Sequence, residues 1–150
     1  MAAAILSIDE QIASMKAAWP QFAARGVDRR ARSARWVGSV RPQYASYSLE
    51  IRYELGSFPE VRVLSPQLIR LPGNAEGQLP HVYSPADDPT LCLFDPREHE
   101  WTAAMAIAST TVPWALDWLA CYELWLMTRR WTGGGRHAGS QSAEATETTR

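Results

Sequence analysis

Apolar side chains return at helical intervals near the start of the chain: Ile8, Ile12, Met15, Trp19 and Phe22 share one face, and Ser7 with Glu10 has capping-box spacing. The pattern predicts one amphipathic helix over residues 7–25, with Pro20 a threat to its last turn. The period then drops to two. Trp36, Val37 and Val40 mark a first strand ended near Pro42, and residues 45–55 carry Tyr47, Leu49, Ile51, Tyr53 and Leu55 in strict alternation. Gly56, Ser57 and Pro59 make a turn into a third strand at Val61, Val63 and Leu64, stopped by Pro66, and residues 68–71 offer a short fourth. Such spacing is that of an antiparallel meander.

Between residues 66 and 96 stand six prolines and little periodicity, a long loop of the kind that carries function in a small domain. Residues 101–112 are alanine-rich and helical in character. Pro113 suits the first turn of a further helix, on which Trp114, Trp118, Tyr122 and Trp125 form a stripe that reads as core. Trp131 leads into three glycines at 133–135, a stop signal, and the polar residues beyond predict a disordered tail. The expectation is an α+β fold in one domain, residues 1–137, with a tail at 138–150: an N-terminal helix, a four-stranded antiparallel meander, a long loop and C-terminal helices.

Composition removes several classes of function. The 150 residues carry a net charge of −1 and no long basic tract, which gives no electrostatic reason to expect nucleic acid or an anionic membrane as partner. Arg29, Arg30, Arg32 and Arg35 form the one basic cluster, read as a solvated surface with a docking patch for an acidic partner as the alternative. The opening segment is too short and too neutral for a signal peptide, and no apolar run spans a bilayer, so the expected location is cytoplasmic. Cys92 and Cys121 are then free thiols. Lys16 is the single lysine beside fourteen arginines. A GC-rich genome accounts for that bias most simply, and an enzyme that handles activated acyl groups also profits from few primary amines of its own.

The candidate chemistry lies in the loop. Leu79-Pro80-His81-Val82-Tyr83 is followed, nine residues after Tyr83, by Cys92 within Thr90-Leu91-Cys92-Leu93-Phe94, and then by Trp101. Locally, Cys92 has Asp95 and apolar neighbours and no strong activator, which by itself describes a small buried hydrophobe. The ordered series resembles the ubiquitin-conjugating enzymes, whose His-Pro-Asn motif precedes a catalytic Leu-Cys-Leu segment. With Pro113-Trp114, Trp118-Leu119, Tyr122-Glu123-Leu124-Trp125 and the Trp-Thr-Gly-Gly-Gly run from Trp131, it is similar to the conjugating-enzyme-like proteins of short type II CBASS antiphage operons over roughly residues 36–137.

That resemblance implies a thioester nucleophile at Cys92, with His81 in the place of an asparagine thought to steady the oxyanion, and substrate contacts from Pro80, Tyr83 and Trp101. His81 has two open roles, hydrogen-bond donor to an oxyanion or proton acceptor from the thiol or an incoming amine. The implied donor is the C-terminus of a cGAS-like nucleotidyltransferase, the implied acceptor a target amine, and no cofactor or metal is called for. Lacking a phosphate loop or adenylating domain, the chain either receives its acyl group from a separate activating enzyme or attacks a peptide bond directly. A non-catalytic binding module with the same fold is the rival reading. Cys121 is expected in the core, and His99 and His137 carry no settled role.

Overall fold

A computed structural model describes residues 4–132. The expected disorder of the tail and any role of His137 lie outside the described residues.

Helix α1 spans Ile8–Ala18 and starts where the capping box requires, with the Glu10 amide on Ser7 Oγ at 3.1 Å and the Ser7 amide on Glu10 Oε1 at 2.8 Å. It stops seven residues earlier than the periodicity indicated. Trp19, the residue before Pro20, leaves the helical region (φ −135°, ψ 72°), because the proline ring crowds a helical predecessor. Residues 23–25, assigned to the helix from sequence, instead open strand β1, Ala23–Asp28.

β1 pairs antiparallel with β2 (Ser33–Val40), β2 with β3 (Tyr47–Glu54) and β3 with β4 (Glu60–Ser65), so the four-stranded sheet is a meander in sequence order. Its fourth strand is therefore β1. Residues 68–71 form no strand: the Ile69 amide donates to the Tyr122 hydroxyl at 2.7 Å and the Leu71 amide to the Gln78 carbonyl at 2.8 Å, which uses backbone that a ladder would need.

Alternation on β3 sends Tyr47, Leu49, Ile51 and Tyr53 into the core. There they meet Trp36 and Val61 from the flanking strands, Met15 of α1, and Val112, Ala115 and Leu119 of helix α2, Thr111–Thr128. Gly38 on β2 is required by close approach, since a Cβ there would lie 2.7 Å from the Phe22 ring and 2.9 Å from its Cα. On the other face Glu50 is 5% exposed, paired with Arg35 and with Arg52 at 3.2 Å. Burial works to raise its pKa, but the Arg35 hydrogen bond and the charges of Arg52, Arg35 and Arg62 outweigh it and hold the carboxyl below the ordinary value.

Residues 101–110 of the alanine-rich stretch are not α-helical, and only Thr111 and Val112 at its end belong to a helix, α2. Turns and a single 3-10 turn at Ile107–Ser109 occupy residues 101–110, because side chains of α1 and of Trp19 just after it capture their backbone. Buried Gln11 donates to the Met105 carbonyl and accepts from the Ile107 amide, each at 2.9 Å, and Trp19 Nε1 donates to the Ala108 carbonyl at 2.7 Å. α2 then begins at Thr111 with Pro113 in its first turn, where the missing N–H has no helical acceptor to lose. No helix among the described residues is long and apolar enough to cross a membrane.

Candidate functional site

The proline-rich loop contains a small hairpin of its own. Strand β5, Val82–Tyr83, pairs antiparallel with β6, Thr90–Leu91, in the register Val82 to Leu91 and Tyr83 to Thr90. One step beyond the ladder the Cys92 amide donates to the His81 carbonyl at 3.0 Å, so residues 81 and 92 stand opposite each other. The far end of the hairpin is tied to β4 and to the segment after it: Arg62 Nε donates to Asp88 Oδ2 at 3.2 Å, and the Arg70 guanidinium donates to the Ala86 carbonyl.

His81 leaves the pleat. Its φ of 58° is left-handed, a conformation that costs a non-glycine residue energy and survives only where neighbours hold it. Here they do so through one atom: the carbonyl that accepts the Cys92 amide also accepts Trp118 Nε1 at 2.8 Å. The imidazole lies against the Trp131 indole, ring centroids 4.8 Å apart and planes tilted by 48°.

Cys92 is 4% exposed, between Leu91 and Leu93, which are equally buried and belong to the main core. The Tyr83 hydroxyl donates to the Phe94 carbonyl at 3.3 Å and is hydrogen-bonded to the Cys92 side chain. Burial, first, and then the Cys92 bond and the charge of Asp95 push the Tyr83 hydroxyl well above its ordinary pKa, so it keeps its proton at neutral pH. A hydroxyl with one proton and two neighbours can change partner, donating to Phe94 while the sulfur is a thiol and to the sulfur once it is a thiolate.

A groove of about 330 Å³ runs between the β3–β4 turn and the hairpin, lined among others by Phe58, Pro59, Tyr83, Leu91, Leu93 and Pro96; the neighbours of Cys92 on both sides line it and Cys92 itself does not. Phe58 is 41% exposed and packs on Phe94 at 5.4 Å, so the wall of this groove is an accessible aromatic surface. Asp95 fixes the exit of β6: its carboxylate accepts the Arg97 amide at 2.9 Å and its amide donates to Glu100 Oε1 at 3.0 Å.

Of the residues singled out in the sequence, His81, Tyr83 and Cys92 come together. Pro80 is buried at the entry to β5. Trp101 is 3% exposed, its ring edge-on to Tyr53 at 5.5 Å and its Nε1 donating to Thr110 Oγ1 at 3.0 Å, so it supports Phe58 from beneath and does not line the groove. His99 is an exposed left-handed residue ending the 3-10 turn Pro96–Glu98. Cys121 lies on α2, half-buried, and burial and the nearby Asp117 raise its pKa. Among the described residues no group of three His, Cys, Asp or Glu side chains is placed to hold a metal ion.

Trp131 escaped the sequence reading. It falls outside the α2 stripe, and the contacts that bring it to His81 come from residues more than fifty positions away: Glu76 Oε1 accepts the Trp131 amide at 2.8 Å, and Asn74 donates to the Arg129 carbonyl at 2.8 Å. The one signal in the sequence was a tryptophan placed just before a glycine run.

A family model described as the type II CBASS E2 protein matches residues 11–138. The chain belongs to that family. The matched span takes in most of α1, the whole sheet, the hairpin with His81 and Cys92, and α2 with Trp131 beyond it. It bears out the resemblance read from the Pro-His-Val-Tyr and Leu-Cys-Leu segments and assigns this CBASS E2 protein to antiphage defence. No curated protein matches the sequence.

Proposed function

We propose that this type II CBASS E2 protein is an acyl carrier in which Cys92 forms a thioester with the C-terminal carboxyl of a partner protein and passes it to an amine. The observation that carries the reading is the cross-strand pairing of His81 with Cys92, hydrogen-bonded at 3.0 Å and flanked by a tyrosine hydroxyl on the sulfur. A nucleophile, a titratable ring and a neutral donor then share one end of a hairpin.

The family context supports a cGAS-like nucleotidyltransferase as the donor, with its C-terminal segment in the groove below Phe58. Without an activating enzyme, the Cys92 sulfur attacks a carbonyl carbon near that C-terminus. The C–S bond forms as the C–N bond breaks, and the thiol proton leaves with the amine by way of His81. In the second half an acceptor amine attacks the thioester, the C–S bond breaks, and the amine's proton returns to sulfur. A separate activating enzyme would instead deliver the acyl group already as a thioester, and His81 would then serve the second half alone.

Cys92 is 4% exposed, so a carbonyl carbon reaches the sulfur only after a covering side chain shifts. This burial also supports a second reading, a binding module that holds the partner's tail without chemistry. Mixing the full chain with the nucleotidyltransferase in the absence of ATP, followed by intact-mass analysis, separates them. A thiol-labile adduct that is lost with Cys92→Ser and kept with Cys121→Ser supports direct attack. An adduct that needs ATP and a third protein supports the activating enzyme, and binding without adduct under either condition supports the module and sinks the thioester.

A further inference from the structure

Beyond α2 the chain turns back over the site. Arg129 takes the left-handed conformation as the helix C-cap (φ 65°), its carbonyl held by Asn74 Nδ2, while Asn74 Oδ1 accepts Trp125 Nε1 at 3.3 Å. Two residues later the Trp131 amide is anchored on Glu76 at 2.8 Å. The outcome is an indole packed against the rings of Trp118 at 5.2 Å, Trp125 at 6.2 Å and His81 at 4.8 Å.

The backbone of His81 is already fixed through its carbonyl, and what that leaves undetermined is the pair of torsions that aim the imidazole. A proton carrier works only from within hydrogen-bond reach of the reacting atoms, so those torsions matter to the rate. Trp118 holds the backbone together with the Cys92 amide, and Trp131 packs on the ring; the two indoles touch, so α2 and the turn after it contribute to the aim of the imidazole. We infer that Trp131 is a positioning residue, which holds the His81 imidazole in the orientation that moves a proton to and from the Cys92 sulfur. The inference rests on the thioester reading above.

The test uses the full chain with Cys121→Ser and p-nitrophenyl acetate as the acyl donor, following p-nitrophenol release and locating the acetyl group by mass spectrometry. Trp131→Ala slows Cys92 acylation between about tenfold and a hundredfold and flattens its pH profile, and Trp131→Phe restores most of the rate. In a His81→Asn background the same Trp131→Ala change has less than about a twofold further effect, because its influence has already been removed. Glu76→Ala, which frees the turn while keeping the indole, gives a smaller loss of the same kind and serves should Trp131→Ala fail to fold. Equal losses from Trp131→Ala with and without His81, or no loss at all, overturn the positioning role while leaving Cys92 as nucleophile. Acetylation that survives Cys92→Ser overturns the thioester reading itself, and the inference with it.

Discussion

Gln11 offers the sharpest test of why residues 101–110 are not helical. Its side chain is 1% exposed and spans from α1 to that segment with one donated and one accepted bond, both 2.9 Å. Gln11→Leu keeps the volume roughly constant and removes both bonds. The Ile107 N–H, fully enclosed, then loses its acceptor at a cost of about 1–3 kcal/mol, and the partly buried Met105 carbonyl, which water can reach, adds about 1 kcal/mol. New apolar burial by leucine returns about 1 kcal/mol. The net loss is about 2 kcal/mol, a substantial fraction of the 5–15 kcal/mol typical of a folded domain, and corresponds to a fall in Tm of about 4–8 °C. Urea unfolding at constant m, with a thermal melt beside it, measures this. Gln11→Glu keeps the acceptor for Ile107 and sets a carboxylate against the Met105 carbonyl, so it is destabilising too. A Gln11→Leu protein within about 0.5 kcal/mol of the parent would show that the segment holds its shape without α1, and the reasoning fails.

Three further outcomes follow from buried groups. Glu123, 5% exposed, accepts from the amides of Tyr44 (3.1 Å) and Ala45 (2.9 Å) and from the Tyr47 hydroxyl (3.0 Å); Glu123→Gln can keep two of these, so it costs about 1–3 kcal/mol and exposes the Tyr44 amide to faster hydrogen exchange. Glu50 has a folded-state pKa below the ordinary glutamate value of 4.5, so its contribution to stability is complete above that pH and is lost as the pH falls through the lower, folded value. The stability gap between parent and Glu50→Gln in urea titrations should therefore narrow below pH 4.5, and a gap independent of pH refutes the assignment. Gly38→Ala places a methyl against the Phe22 ring and backbone, which ring rotation alone does not relieve, and lowers stability by about 1–3 kcal/mol in the same assay.

What the sequence revealed followed how local each determinant is. β3 was legible because its burial alternates within the strand itself, and α1 began where Ser7 and Glu10 said it would. β1 was invisible for the opposite reason: all six of its positions are exposed, so no period marks it, and it is a strand only because β2 offers a ladder. The 101–112 stretch misled because alanine content reports intrinsic preference, whereas Gln11 and Trp19, some ninety residues distant in sequence, claim the backbone. Residues 68–71 have the apolar side chains of a strand but no strand to meet.

The site divides in the same way. The resemblance carried by the spacing of the Pro-His-Val-Tyr and Leu-Cys-Leu segments brought His81, Tyr83 and Cys92 into view, and a hairpin of fixed register needs only a few residues to bring them together. The spacing also hid how His81 is supported. Read along the chain, Trp118 is one more member of an apolar stripe, and Trp131 a residue before a stop. In space, Trp118 Nε1 shares the His81 carbonyl with the Cys92 amide, and Trp131 flanks the imidazole of the same residue. The left-handed backbone at His81 makes the sharing consequential: with φ at 58°, an extended strand would direct both carbonyl and ring elsewhere, and α2 supplies part of what holds the unusual conformation. Perturbing Trp118 on α2 should therefore reach Cys92 through His81, while a comparable change on the exposed strand β1 should alter stability alone.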